Sequence, residues 1–438
     1  MTERSAGPVV FAVAAGAALF GSLGVIGADA LWLVPLGSQV AHGHVPDSIA
    51  FATAPTSGWH NVPAAAELLF WAAWHALGGS RGLVMWQVLG AAAGFGALAW
   101  GLRRQASSGA VALVCAIVLM GSLPAVVVTG FSLYSVAFFP VLLALLESDA
   151  RVPSRRIWLA VPLVAVWGNL HGAVIVGLGL LAVYLIFSRG RRDPLLSVGV
   201  LAAALVACWL TPALWNTPSY YRGVFENEAA RRGEGLWTPL GLDGFGLLLI
   251  GAAVVLGILA WRHDALWEAV ALLGLAAATV HVARNGTWLL FVTAYPAVRG
   301  LRVRELSRFV LVSTGVICSA TAAALLANGP RDPGSAPMAA AAARTGRPVL
   351  AQAILGQQVA LAGGRVWASN PIDAFRRTDQ RLYLSWLQGR PGGDAALANV
   401  GYVLVDPRSA LGLRAARDRR LRFVSGTPEA ALYVVRGS

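Results

Sequence analysis

Eleven apolar runs, separated by short polar stretches, fill the first three quarters of the chain: residues 8–28, 82–101, 110–128, 131–146, 157–170, 172–187, 195–214, 245–261, 266–283, 287–298 and 309–327. At 1.5 Å per residue an apolar helix of about 20 residues crosses a ~30 Å hydrocarbon core. The pattern predicts an all-α polytopic membrane protein of about eleven transmembrane helices. Several runs are short for a full crossing. Those flanking Asn169-Leu170-His171-Gly172 and Arg284-Asn285 read as antiparallel helix pairs with polar tips at one surface. The segment 64–77 reads either as a short span or as a helix lying in the interface. The first run ends at Ala28-Asp29-Ala30, a cleavage-like sequence, but it is long for a signal peptide and reads as an anchor.

Beyond residue 328 the pattern changes. A Pro/Gly linker at 329–337 is followed by short β-rich runs at 348–351, 365–368, 400–405, 421–424 and 431–435, with helical periods between them. Residues 1–328 are thus expected to form the membrane domain, with a long first outer loop at 29–63. Residues 338–438 are expected to form a small, extracytoplasmic α/β domain ending in a hairpin.

Composition agrees: 57% hydrophobic and 13% charged residues, with a mean hydropathy of +0.65, lie far from soluble averages. The net charge of +13 comes from arginine alone, since the chain has no lysine, and the arginines sit in short clusters between apolar runs. There is no basic stripe interleaved with aromatics, which argues against nucleic acid as a partner. If 64–77 does not cross, thirteen arginines (103, 104, 151, 155, 156, 189, 191, 192, 262, 299, 302, 304, 308) share one face, and five (81, 222, 231, 232, 284) share the other. The positive-inside bias then places the amino terminus in the cytoplasm and the C-terminal domain outside the cytoplasmic membrane. Cys115, Cys208 and Cys318 lie inside apolar runs with no ligand spacing.

Candidate chemistry gathers on the outer side. The loop 29–63 contains no arginine and concentrates Asp29, His42, His44, Asp47, His60 and Asn61. Long irregular loops are commonly functional. Asn169 and His171 occupy one tip, while His281, Arg284 and Asn285, at i, i+3 and i+4, are expected on one helix face. Glu67 lies inside an apolar run, where an unpaired carboxylate is costly and usually faces a cavity. The histidines and Asp47 match no strong metal-ligand template, so a divalent ion is neither specified nor excluded. Glu226 and Glu228, in a loop with Arg222, Arg231 and Arg232, read as solvated surface.

The residues Asp29-Ala-Leu-Trp32, Gly37, His42-Gly-His-Val-Pro46-Asp47, Thr53, Trp59-His-Asn61 and Glu67 resemble the first outer loop of bacterial membrane proteins related to the GT-C glycosyltransferases. Trp167-Gly-Asn169-Leu-His171-Gly172 and Arg284 are similar to that group as well. The tail, Asn370-Pro-Ile-Asp373-Ala-Phe375 with Tyr383 and Trp386, is similar to the extracytoplasmic ends of actinobacterial relatives. The resemblance implies a GT-C-like fold and transfer of a sugar from a polyprenyl-phosphate carrier to a cell-envelope acceptor at the outer membrane face. It implies an outer-loop carboxylate acting on the acceptor, for which Asp29 and Glu67 are the catalytic candidates, and an arginine on the departing phosphate; His42, His60, Asn169, His171, His281, Arg284 and Asn285, gathered on the same outer side, are the substrate-binding candidates. The chain departs from the pattern at Gly27, where relatives often carry a second acidic residue. A non-catalytic component with the same architecture (transporter, flippase-like protein or assembly scaffold) is the alternative.

Overall fold

A computed structural model describes residues 3–56, 58–329 and 334–437, with side chains from residue 7 onward. Four residues of the expected linker, 330–333, lie outside the described residues. In chain order the first helices are α1 (Glu3–Ser22), α2 (Ala28–Ala41), α3 (Ala64–Leu77), α4 (Ser80–Leu102) and α5 (Ser108–Gly121). Next come α6 (Leu123–Val127), α7 (Ser132–Arg151), α8 (Ala160–Gly168), α9 (Val174–Phe187) and α10 (Pro194–Ala207). They are followed by α11 (Thr217–Glu226), α12 (Glu228–Arg232), α13 (Gly244–Ala260), α14 (Leu266–His281), α15 (Gly286–Gly300) and α16 (Arg308–Ala327). The C-terminal part adds α17 (Ala336–Arg344), α18 (Ala353–Leu361), α19 (Arg377–Leu387) and α20 (Ala410–Arg417). Its strands are β1 (Val349–Ala351), β2 (Tyr402–Val405), β3 (Leu421–Gly426) and β4 (Ala431–Val435).

The chain divides into two compact units. The first comprises Met1–Val25, Arg81–Leu214 and Gly235–Gly329; the second comprises Ile26–Ser80, Trp215–Glu234 and Pro330–Ser438.

The first unit is helical, and each of the eleven apolar runs falls on a helix. Among the described residues, four helical segments are long and apolar enough to cross a membrane by length and composition: Ser80–Leu102, Ser132–Arg151, Val174–Arg191 and Arg308–Ala327. The shorter apolar helices are Gly7–Ser22, Ser108–Gly121, Pro194–Ala207, Gly244–Ala260 and Leu266–His281. Small residues let the helices close on one another. A Cβ at Gly94 would collide with the Val136 carbonyl, and one at Gly90 with the Leu133 side chain, so the Gly90-x-x-x-Gly94 edge of α4 lies directly on α7. Around that seam Phe95, Phe139, Trp167, Trp288 and Phe291 make one buried aromatic core, with ring centroids 5.2 to 6.2 Å apart.

The second unit is built on the sheet order β1-β2-β4-β3, with β1 and β2 parallel and the other neighbours antiparallel. The expected C-terminal hairpin is β3–β4. The run 365–368 forms bridges rather than a regular strand, and it ties the first loop into this unit. Val366 N–H donates to the Phe51 carbonyl at 2.8 Å, Thr53 N–H to Val366 O at 2.8 Å and Ala54 N–H to Trp367 O at 2.9 Å. Helix α2 packs on α3 and α18. Gly37 is what lets α2 and α3 meet, because a Cβ there would overlap the Glu67 carbonyl. With 14 residues, α3 rises about 21 Å, short of a ~30 Å core, as do the 14-residue α5, α9 and α10. The second unit therefore contains more than the C-terminal stretch. It draws in the loop after the first apolar run, whose backbone partners are some 300 residues away in sequence and leave no local trace.

Residues 215–234 join the same unit through charge. Glu226 pairs with Arg377 at 2.9 Å, Glu228 with Arg381 at 3.0 Å and Glu234 with Arg390 at 3.0 Å. The Glu228 backbone N–H also donates to Gln380 Oε1 at 2.9 Å. Glu228 is buried, unlike the solvated surface residue expected; a dedicated partner on α19 replaces its water.

Candidate functional site

In the first unit, the run Trp167-Gly-Asn-Leu-His-Gly interrupts two apolar helices and becomes the turn between α8 and α9. Asn169 closes the end of α8, its Nδ2 donating to Ala165 O at 2.9 Å and to Leu210 O at 2.6 Å. The His171 ring stands edge-on to Phe131 at 4.7 Å, and its Nδ1 is 2.5 Å from Ser135 Oγ on α7. That hydroxyl oxygen also accepts from Trp167 Nε1 at 2.7 Å. Burial and, secondarily, the nearby Arg284 guanidinium hold His171 well below the usual imidazole range, at about 3, so it is neutral at physiological pH.

Arg284 sits in the single 3-10 turn Ala283–Asn285 that joins α14 to α15. Its guanidinium carbon lies 4.3 Å over the Trp237 ring, within cation–π range. The turn is pinned on both sides: Leu240 N–H donates to Val280 O at 3.2 Å, and Ala283 N–H to Thr238 O at 3.0 Å. Helix α14 ends at His281, and Val282 is extended. His281, Arg284 and Asn285 therefore do not share a helix face, contrary to the expectation from their spacing. His281 is exposed, and the Asn285 amide turns back to Ala278 O at 3.1 Å as a helix-end bond.

The remaining expected residues belong to the second unit. Asp29 opens α2, half-buried, and Oδ1 receives a long bond from Asn370 Nδ2 at 3.4 Å. Three residues on, Asp373 Oδ2 accepts from Trp59 Nε1 at 3.2 Å, while burial pushes this carboxyl above its ordinary range. The tail motif Asn370-Pro-Ile-Asp373 thus meets two residues of the first-loop motif. Glu67 is fully buried. Its Oε2 accepts from Asn61 Nδ2 at 2.8 Å, and desolvation pushes it up to about 8, so it is largely protonated at neutral pH. His42 caps α2, its Nδ1 2.6 Å from Ser38 O, and is exposed; His60 is half-buried. No three His, Cys, Asp or Glu side chains among the described residues come together as a metal-ligand set.

Ser135 and Trp237 were not singled out from the sequence for these contacts. Ser135 and Trp237 lie far along the chain from their partners, and no local spacing marks them. Asn61 and Asn370 lie inside the two motifs that carry the family resemblance.

No family model matches the chain, and neither does any curated protein. Among solved structures, ArnT from Cupriavidus metallidurans, bound to undecaprenyl phosphate, is similar over 99% of this chain and 99% of its own, with a TM-score of 0.54 and 14% identity. At that identity the likeness is one of fold. The chain shares its overall fold with ArnT, and in this chain that fold is mostly helical with a small C-terminal sheet.

Proposed function

We propose that this chain is a membrane glycosyltransferase that moves a sugar from a polyprenyl-phosphate carrier to a cell-envelope acceptor at the outer face of the cytoplasmic membrane. The observation that carries the reading is Arg284, braced on the Trp237 indole beside a neutral His171, in a fold shared along its whole length with a protein that holds undecaprenyl phosphate. In this reading the acceptor oxygen attacks the anomeric carbon and the bond from that carbon to the phosphate oxygen breaks. The phosphate leaves with the electron pair, and the acceptor proton passes to a carboxylate, the role that the family resemblance gives to Asp29. A general base contributes about 10²–10⁴-fold in rate, and an arginine held in place stabilises the charge growing on the leaving phosphate. Glu67, enclosed and bonded to Asn61, is assigned to holding the loop rather than touching substrate. The reading keeps eleven membrane crossings, the shorter helices included, with the amino terminus in the cytoplasm.

A reconstituted transfer assay tests this with polyprenyl-phosphate-linked sugars. Asp29→Asn should lower turnover by about 10²-fold or more while insertion is unchanged. Gly27 leaves Asp29 as the single carboxylate before Trp32, which favours the second reading, a non-catalytic transporter, flippase-like protein or scaffold. No transfer by the wild type with any donor would favour that second reading, whereas transfer at the wild-type rate by Asp29→Asn would remove Asp29 from the chemistry.

A further inference from the structure

The bonds around Ser135 determine which His171 nitrogen carries the proton. Trp167 Nε1–H can only donate, so at 2.7 Å the Ser135 oxygen is an acceptor towards it. The Ser135 hydroxyl proton still needs an acceptor. Ser135 is 0% exposed, which removes water, and among the described residues its Oγ has just one other hydrogen-bond partner, His171 Nδ1 at 2.5 Å. The hydroxyl therefore donates to Nδ1, and in a neutral imidazole the proton must then reside on Nε2. Among the described residues Nε2 makes no hydrogen bond. The turn at 169–172 thus presents an uncharged N–H donor close to the Arg284 cation.

We infer that Ser135 and Trp167 are positioning residues: the relay from Trp167 Nε1–H through the Ser135 hydroxyl to His171 Nδ1 fixes His171 as a neutral Nε2–H donor to an anionic phosphate oxygen. The inference rests on the phosphate-carrier reading for its ligand and on the geometry alone for its tautomer. An imidazolium near Arg284 would set two like charges against each other. A neutral donor adds a directed bond without that repulsion. Phosphate oxygens of a lipid headgroup and of inorganic phosphate offer the same acceptor chemistry, so the two are separated by experiment.

The full chain, labelled with ¹⁵N-histidine and held in lipid nanodiscs, gives the tautomer directly by NMR, with His171→Gln identifying the signal. Wild type should show the Nε2–H form, and Ser135→Ala should shift the signal towards a mixture of tautomers. Ser135→Thr, which keeps the hydroxyl, should restore the wild-type form, and Trp167→Phe should loosen it to a smaller degree. A wild-type signal of the Nδ1–H form, or one unmoved by Ser135→Ala, overturns the relay. Affinities for undecaprenyl phosphate and for inorganic phosphate are measured on the same samples. Loss of one hydrogen bond, about 0.5–1.5 kcal/mol, corresponds to roughly 2- to 13-fold weaker lipid-phosphate binding by Ser135→Ala, with recovery in Ser135→Thr. Equal loss in Ser135→Ala and Ser135→Thr would mean that packing rather than the hydroxyl matters, and overturns the assignment. Weakening of inorganic phosphate alone overturns the lipid source. If wild type binds neither phosphate, the phosphate-carrier reading fails and takes the ligand half of this inference with it, while the tautomer result still decides the relay.

Discussion

Arg299 grips Glu268 with both prongs of its guanidinium, Nη1 lying 2.8 Å from Oε2 and Nη2 2.9 Å from Oε1. The same Nη2 reaches Glu147 at 2.8 Å, Nε donates to Gln105 at 2.8 Å, and Nη1 donates to the His263 carbonyl at 2.9 Å. One arginine at the end of α15 therefore joins α7, the start of α14 and the chain after α4. Both carboxylates are almost fully buried. Removing the cation strands them, and breaking a buried pair in this way typically costs about 3–5 kcal/mol.

Arg299→Ala should accordingly melt far below wild type in mild detergent. Adding Glu147→Gln and Glu268→Gln should recover part of the loss, because neutral amides tolerate burial better. Arg299→Lys, which keeps charge but not the planar fork, should fall between. Equal melting of Arg299→Ala and wild type would show the cluster to be energetically idle.

Glu67 predicts a specific pH dependence. Its carboxyl stands at about 8 in the folded chain against an ordinary 4.5, so between those values the unfolded chain has released a proton that the folded chain retains. The stabilising contribution is fully present below about 4.5 and is lost as pH rises towards 8. Glu67→Gln cannot ionise, so the stability of that variant should fall less steeply across this window. Melting temperatures of the two proteins at several pH values give the comparison. Parallel curves would mean that Glu67 does not titrate across this interval.

The fold was legible where its cause is local. The eleven apolar runs became helices because hydrophobic continuity and helix geometry act within each segment. Asn169 and His171 were recognisable as a polar tip. Arg299 was read as one of many arginines setting orientation, because its sequence neighbours do not reveal two carboxylates 31 and 152 residues away. The spacing of His281, Arg284 and Asn285 misled because Val282 leaves the helix, and nothing in the apolar run marks that exit. Glu67 stood out correctly as a costly buried acid. That its cost is met by protonation and Asn61, instead of an open cavity, depends on how closely α2 covers it.

The pairing of the first loop with the C-terminal sheet leads to a test of folding units. Residues 334–437 expressed alone would leave the Val366 and Trp367 backbone groups without Phe51, Thr53 and Ala54, and would bare the α18 face that α2 covers. At about 1 kcal/mol each, three hydrogen bonds amount to roughly 3 kcal/mol before any apolar burial is counted. A single-chain fusion of residues 26–80 to 334–437 should be more soluble and melt more cooperatively than 334–437 alone. Indistinguishable melts would show that the C-terminal stretch folds without the loop.

Trp237 offers a test that separates orientation of Arg284 from its charge. The indole face holds the guanidinium at 4.3 Å, and an interaction of this kind contributes about 0.5–1 kcal/mol at exposed sites. Trp237→Ala keeps the arginine but frees it, so the affinity for undecaprenyl phosphate should fall by roughly 2- to 5-fold, the equivalent of that energy. Arg284→Lys loses the stacked plane and the forked donor set while keeping a unit charge, and should weaken binding more than Trp237→Ala does. Trp237→Phe retains an aromatic face and should lie nearest to wild type. Added salt distinguishes the two contributions: a freed arginine lies on average farther from the phosphate, where its attraction is more screened, so the Trp237→Ala affinity should decline more steeply with ionic strength. If Trp237→Ala and Trp237→Phe bind alike at every salt concentration, the ring does not orient Arg284, and the arginine acts by charge alone.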